Sequence, residues 1–470
     1  MSAAVVRRVA VIGGGITGLA AAHRLVELEA TIDVTLFEAS NRLGGVLRSE
    51  RRDGWLLEHS ADNFITSVPW ALELCRRVGL EHELLTTRPD DRRALIVRDG
   101  RLHPVPEGFT LMAPSKLGPL VTTPLLSVRG KLRLLAEMFV PRRRDAADDE
   151  SLASFVTRRF GRETFERLVQ PLVGGIYTAD AQKLSLAATL PRFLEMERTH
   201  GSVIRAALRQ RRVNNGKSSG ESGARYSLFV APREGMSQLV DALAARLPAG
   251  SVRLNAAIKQ LSVVSGQWSV AEGEPPFDAV IVCAPAPAAT KLIAQAAPEL
   301  AAELATIAYA GSAVALVGYR REQLSRPLTG FGFVVPEVEH RDLLAVSYSS
   351  QKYDGRAPEG RVLLRAFVGG AARPDLLHCP DDALRQIILR ELQELLGVRG
   401  EPELFEIIRW PAAMPQYHLG HLQRVARIEQ LAAALPRFAL AGNAYRGVGI
   451  PHCIHSGEQA AETVLKREQQ

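Results

Sequence analysis

Cysteine is scarce. Cys75, Cys283, Cys379 and Cys453 are the only four in 470 residues, and no two form a CxxC pair. That excludes a disulfide-built scaffold and suits free thiols in a reducing cytoplasm. Aromatic residues make up only 6% of the chain, and no stripe alternates them with basic residues. A nucleic-acid surface is therefore not expected, although the net charge is +7. A modest positive excess suits anionic ligands or an anionic membrane surface instead. No apolar run approaches about 18 residues, so no spanning helix is expected. No basic segment leads into an apolar one at the N-terminus, so no signal peptide is expected.

What is present first is a βαβ pattern. Residues 7–12 read as a short buried strand, 16–26 as a helix and 32–38 as a second strand. Between the first strand and the helix lies Gly13-Gly14-Gly15-Ile16-Thr17-Gly18. Gly13 allows the tight turn, Gly15 lets the backbone approach a pyrophosphate, and Gly18 lets helix and strand pack closely. The helix start, with Ile16 and Thr17, aims unpaired N–H groups at the phosphates. Glu38 closes the second strand, where it would accept ribose hydroxyls. Strand, glycine loop, helix and acid together point to a bound dinucleotide.

After Glu38 come Arg42 and the pair Gly44-Gly45. This run resembles the extended FAD signature of the flavin amine oxidase superfamily, which implies Arg42 near phosphate or ribose and the glycine pair under the flavin. A third glycine cluster, Gly442, Gly447-Val448-Gly449 and Ile450, follows a strand ending at Ala441 and precedes a helix expected from Pro451 or Cys453. It directs a second helix start, with its partial positive charge, at another part of the same ligand.

That closing segment resembles the porphyrinogen oxidases, which oxidise protoporphyrinogen or coproporphyrinogen. Those enzymes commonly show Gly-Val-Gly, a short gap, then Asp-Cys-Ile. Here Cys453-Ile454 match, and His452 stands where the Asp is common. The same family is resembled by Gly174 to Asp180 with Leu184-Ser185, by Gly330 to Pro336, by Trp410-Pro411 and by Pro415 to His421. Glu58 to Phe64 resembles it as well. Ser60 and Ala179 stand where glycine is usual.

The resemblance implies noncovalent FAD, hydride transfer from the macrocycle and reoxidation by O2 with release of H2O2, repeated three times in heme biosynthesis. It implies Arg93 as the propionate-binding arginine, with Arg92 as competitor. It further implies Val334, Ser347 and Phe367 against the ring faces, and the Gly175 backbone facing the methylene bridge. A ferrochelatase is a partner consistent with that pathway. Protoporphyrinogen and coproporphyrinogen are not separated by the sequence. Oligomeric state is also left open, with a homodimer as one expectation.

The fold expected is α/β: a discontinuous Rossmann-like FAD-binding domain, a mixed α+β substrate domain and a helical subdomain able to associate with a membrane. The FAD-binding parts are 1–88, 226–295 and 425–470, and the substrate domain is 89–110 with 296–424. The helical part is 111–210, followed by a flexible loop at 211–225 rich in Gly and Ser. Segment 111–144 reads as amphipathic helix, with Leu132 and Phe139 among its apolar residues and Arg129, Lys131 and Arg142–Arg144 among its basic ones. This suits peripheral attachment to the inner face of a membrane by an otherwise cytoplasmic protein. His418/His421 and His452/His455 are spaced i, i+3, yet lack further ligands for a closed metal site. The alternatives are an amine oxidase or carotenoid desaturase of the same superfamily, and a non-catalytic flavoprotein that carries a tetrapyrrole.

Overall fold

The computed structural model describes residues 8–143, 149–213 and 228–466. A five-stranded parallel sheet collects strands from both ends of the chain. Its order is Val252–Arg253, Asp33–Phe37, Arg8–Ile12, Ala279–Val282, Phe438–Leu440. The central strands are buried on both faces, as parallel strands covered by helices must be. The glycine-loop helix Ile16–Leu28 and the C-terminal helix Ile450–Lys466 cross on one face. A side chain at Gly457 would meet the Thr17 carbonyl oxygen at 2.2 Å, so the absence of a Cβ there sets how closely the two helices approach.

A seven-stranded sheet forms the second layer. Its order is Leu404–Pro415, Tyr309–Arg320, Arg361–Gly369, Leu343–Tyr348, Gly332–Val334, Leu95–Arg98, Arg101–Pro104. All its pairings are antiparallel except Gly332–Val334 with Leu95–Arg98. Asp99-Gly100 turns the 95–104 hairpin, with φ positive at both positions, as a primed turn demands. One face of this sheet packs on the helix Asp381–Leu396 through Leu384, Ile388 and Leu392. The other face looks toward the parallel sheet, where Trp55 and Leu57 cover Val314, Leu316 and Leu363.

Segment 111–144 is not one amphipathic helix. Phe109–Thr110 and Ala113–Pro114 pair as a short hairpin, followed by helices Gly118–Thr122 and Val128–Leu135 and a 3-10 turn at Ala136–Phe139. Pro114, Pro119, Pro124 and Pro141 punctuate the run, since proline removes a backbone donor and restricts the residue before it. Arg144 lies outside the described residues. The expected loop also begins later, because the helix Val203–Val213 runs through its first three positions, and the rest, 214–225, lies outside the described residues. No helix among the described residues is long and apolar enough to cross a membrane.

Candidate active site

The first glycine loop follows the carboxyl end of the parallel strand Arg8–Ile12. Gly13 has φ +108, and a Cβ at Gly18 would lie 1.8 Å from the Gly13 carbonyl oxygen. Only glycine lets this helix sit so close to the loop. At Gly15 the situation is reversed. Its φ is −71, which any residue adopts, and an added Cβ would find nothing nearer than Gly45 Cα at 4.0 Å. Gly15 caps the helix without a side-chain hydrogen bond, so the first-turn N–H groups have no side-chain acceptor. Open space above these donors is what a pyrophosphate needs.

Glu38 is held on the far side of the loop. It accepts hydrogen bonds from the Gly14 N–H at 2.7 Å and from the Ser40 N–H and hydroxyl at 2.8 Å each. A carboxylate offers about four acceptor positions, so one remains for a ribose hydroxyl. Gly44 donates to the Gly14 carbonyl at 2.8 Å, tying the two glycine loops together. Arg42 does not reach outward. Its guanidinium donates to the carbonyls of Leu43 at 3.1 Å, Leu47 at 3.2 Å and Gly45 at 2.5 Å. It shapes the Gly44–Gly45 turn, and burial lowers its pKa.

The third glycine cluster enters from the other side. The helix begins at Ile450, three residues before Cys453, so Gly447, Val448 and Gly449 lie immediately before its first turn. Gly442 has φ +132 and open space where a Cβ would be. Tyr417, which was not singled out from the sequence for this role, pins the loop. Its hydroxyl accepts from the Gly447 N–H at 2.8 Å and donates to the Asn443 carbonyl at 2.6 Å. The Tyr417 ring stacks on His421 at 3.9 Å, and His421 Nε2 lies 2.9 Å from the Tyr445 carbonyl. Burial pulls the His421 pKa down to about 4, so the ring is neutral and Nε2 carries the hydrogen donated to that carbonyl. His452 packs its ring against Gly447, edge-on to Trp70 at 5.2 Å, and Trp70 in turn stacks on His455 at 3.9 Å. A side chain occupies the position of the common carboxylate, but no carboxylate does.

The residues expected around a macrocycle fall on the cofactor-side face of the large sheet. Val334 pairs with Ala345, and Ala345 with Phe367. Directly paired residues point to the same face, and Ser347, two positions from Ala345, joins them. All four are only partly buried. Gly175 lies on the helix Gln170–Tyr177, and a Cβ there would come within 3.7 Å of Val334. The helix ends at Thr178 in the left-handed conformation, and the Thr178 carbonyl accepts from Ala371 at 2.9 Å, which ties it to the end of the Arg361–Gly369 strand. Arg93 stands half-exposed beside the Asp91 carboxylate. Arg92 turns back onto the carbonyls of Thr87 at 2.7 Å and Arg88 at 3.1 Å. Val334, Ser347, Phe367 and Gly175 are thus brought together, whereas Arg93 is placed only beside Asp91 at the start of the 95–104 hairpin.

A buried charge cluster beside them had no signal in the sequence. Lys352 Nζ lies 2.6 Å and Arg365 Nη1 3.1 Å from the same Asp62 oxygen. Burial alone would raise the Asp62 pKa, but the two cations hold it well below the usual carboxylate range. Burial likewise lowers the Lys352 pKa, against the pull of Asp62. Nearby, burial pushes Glu58 up to about 7, despite hydrogen bonds from Ser49 at 2.7 Å and the Met236 N–H at 2.9 Å.

The loop geometry, the acid and the two helix starts define a dinucleotide-binding oxidoreductase. Residues 16–465 match the family described as flavin containing amine oxidoreductase, and the chain belongs to that family. Its kinship there is with porphyrinogen oxidases. It is 33% identical over 467 residues to coproporphyrinogen III oxidase of Bacillus subtilis (strain 168), covering 98% of each chain. It is 30% identical over 489 residues to protoporphyrinogen oxidase 2, chloroplastic/mitochondrial, of Arabidopsis thaliana, covering 98% of this chain and 94% of that one. A crystal structure from Exiguobacterium sp. 255-15, which carries a provisional protoporphyrinogen oxidase name, superposes with a TM-score of 0.86 at 29% identity, covering 98% and 99%. The chain is an FAD-dependent oxidoreductase.

Proposed function

We propose that this enzyme oxidises a porphyrinogen to the porphyrin in heme biosynthesis, with O2 as acceptor and H2O2 as by-product. The observation that carries the reading is the juxtaposition of Gly175, Val334, Ser347 and Phe367 on one partly buried face of the large sheet. Bound FAD supplies the hydride-accepting chemistry. The protein's part is to hold and orient. Gly13, Gly15, Ile16, Thr17 and Gly18 cradle the pyrophosphate, Glu38 takes the ribose, and Arg42 shapes Gly44–Gly45 beneath the ring system. Gly442, Gly447, Val448, Gly449 and Ile450 present the second helix start. Val334, Ser347 and Phe367 flank the macrocycle, the Gly175 backbone confines its methylene bridge, and Arg93 pairs with a propionate. No side chain is assigned as a base. Aerobic turnover of protoporphyrinogen and coproporphyrinogen, followed by porphyrin fluorescence and H2O2, tests this. Either porphyrin appearing with H2O2 supports it, and a yellow protein that turns over neither substrate rejects it.

The chain divides in this reading into an FAD unit from 1–88, 226–295 and 425–470, a substrate unit from 89–110 and 296–424, and a helical unit from 111–210. The helical unit supports a second step of the reading, peripheral attachment of a cytoplasmic protein to an anionic membrane. Val128 is 72%, Leu132 64% and Phe139 80% exposed, close to Arg129 and Lys131. Apolar side chains and cations on one short surface suit an interface helix. At low salt the protein should sediment with vesicles rich in anionic lipid, and Phe139→Ser with Leu132→Ser should leave it in the supernatant. A parent that stays in the supernatant removes the membrane from the account.

A further inference from the structure

Donors and acceptors on the cofactor-side face of the large sheet are not evenly matched. Arg365 and Ser347 are ladder partners, so their side chains share that face with Phe367 and Val334. Arg365 is 2% exposed, and Asp62 takes only its Nη1. Its Nε and Nη2, and the Ser347 hydroxyl beside it, are buried without any hydrogen-bond partner. Buried donors left unpaired are costly and therefore rare. Here they occur side by side, on two strands, next to a surface already argued to hold a ligand.

The local charge has the same sign. Lys352, Arg356 and Arg365 face two carboxylates, Asp62 and Glu58, and burial of Glu58 reduces its share of the negative charge near neutral pH. Arg356 gives Nη1 and Nη2 to the carbonyls of Arg233 and Pro232, both at 2.9 Å, and only its Nε is left buried without a partner. Lys352 already shares Asp62. Arg365 is the cation with two donors to spare.

Its location relates it to Arg93. The Arg93 carbonyl accepts from Phe331 at 2.9 Å, Gly332 pairs with Ser347, and Ser347 with Arg365. Arg93 and Arg365 thus lie at the same end of the sheet, three strand spacings or roughly 14 Å apart. Arg93 is half-exposed and Arg365 is buried.

We infer that Arg365, oriented by Asp62 and assisted by the Ser347 hydroxyl, is a second carboxylate-binding subsite. It takes a propionate that Arg93 does not reach, and so favours a macrocycle with four carboxylates over one with two. This rests on the porphyrinogen reading. Arginine suits the role because its fork can give one edge to Asp62 and the other to a ligand carboxylate.

The test is equilibrium binding of coproporphyrin III (four carboxylates) and protoporphyrin IX (two) to the FAD-loaded enzyme, followed by porphyrin fluorescence. Arg365→Gln should weaken coproporphyrin binding by about 10- to 100-fold, the loss expected for a hydrogen bond to a charged group. Protoporphyrin binding should change by less than about threefold, and FAD content should be unchanged, because Lys352 still pairs with Asp62. Arg365→Lys should recover part of the loss, as a point charge without the fork. Ser347→Ala, which removes no charge, guards against misfolding of the Gln variant and should weaken coproporphyrin alone by about fivefold. Unchanged coproporphyrin affinity, or equal loss for both ligands, overturns the subsite and leaves the porphyrinogen reading standing. A parent enzyme that binds neither porphyrin overturns both.

Discussion

Gly15→Val will fold as the parent does and bind no FAD, whereas Gly18→Ala will fail at the earlier step of folding. The two glycines are three residues apart in one loop, and their surroundings differ in kind. At Gly15 the backbone is in an ordinary region, and an added Cβ would have no protein atom nearer than Gly45 Cα at 4.0 Å, so a side chain there projects into the space the ligand needs. Losing close approach to a pyrophosphate and the helix-start N–H groups together should lower FAD affinity by more than about 100-fold, since each charge-assisted hydrogen bond contributes about 1.5–3 kcal/mol. At Gly18 the added carbon falls on a backbone oxygen at 1.8 Å, with no flexible side chain to move aside. Forced overpacking of this kind costs about 3 kcal/mol or more. Thermal melts of the apo proteins, with flavin content measured beside them, separate the outcomes. Retention of FAD by Gly15→Val would mean that the pyrophosphate lies elsewhere.

Asp62→Leu will destabilise the protein by about 3–5 kcal/mol. The carboxylate is buried between Lys352 and Arg365, and removing it leaves like charges in the interior with only Glu58 nearby, whose own burial pushes it up to about 7. The deficit should depend on pH with a definite sign. The Asp62 pKa is depressed on folding, so the carboxylate favours the folded state above its unfolded value of about 4, and that contribution is lost as pH falls toward the folded value. The gap between parent and variant, read by urea denaturation, should be full at pH 7 and shrink in acid. A gap under about 1 kcal/mol at pH 7 would mean that Lys352 and Arg365 have other partners.

What was legible in the sequence was local. The glycine loop announces itself because turn, helix start and acid are confined to about 30 residues, and each requires a particular residue type. The helix Asp381–Leu396 follows its apolar period, burying Leu384, Ile388, Leu392 and Leu396. The order of the large sheet was not legible. Its hairpin at 95–104 adds beside Gly332–Val334, and nothing in either segment encodes a partner more than 200 residues away. Segment 111–144 is helical only in short pieces, as its prolines allow, and the hairpin that pairs Phe109–Thr110 with Ala113–Pro114 left no mark in its leucine spacing.

The site divides along the same line. Gly13, Gly15, Gly18, Glu38 and the Gly447–Ile450 run could be found by motif. Arg42 was expected near phosphate or ribose, and nothing in the sequence signalled that three backbone carbonyls would converge on its guanidinium. Tyr417 stood in a recognised run, yet its clamp on Gly447 and Asn443 depends on a loop 26 to 30 residues further on. Lys352 and Arg365 look like ordinary surface cations in the sequence. Only the sheet register turns one of them inward beside Ser347, and only a segment 290 residues earlier supplies the aspartate that Lys352 shares.

The central claim is that this protein brings a reduced tetrapyrrole to the bound flavin. Anaerobic mixing of the holoenzyme with coproporphyrinogen III or protoporphyrinogen IX, followed by the flavin's visible absorbance, tests it without reliance on the acceptor. The account predicts rapid bleaching with at least one of the two, colour restored on admitting air with release of H2O2, and no bleaching by simple amines. A flavin that keeps its colour with both porphyrinogens, or that is bleached by an amine instead, contradicts it.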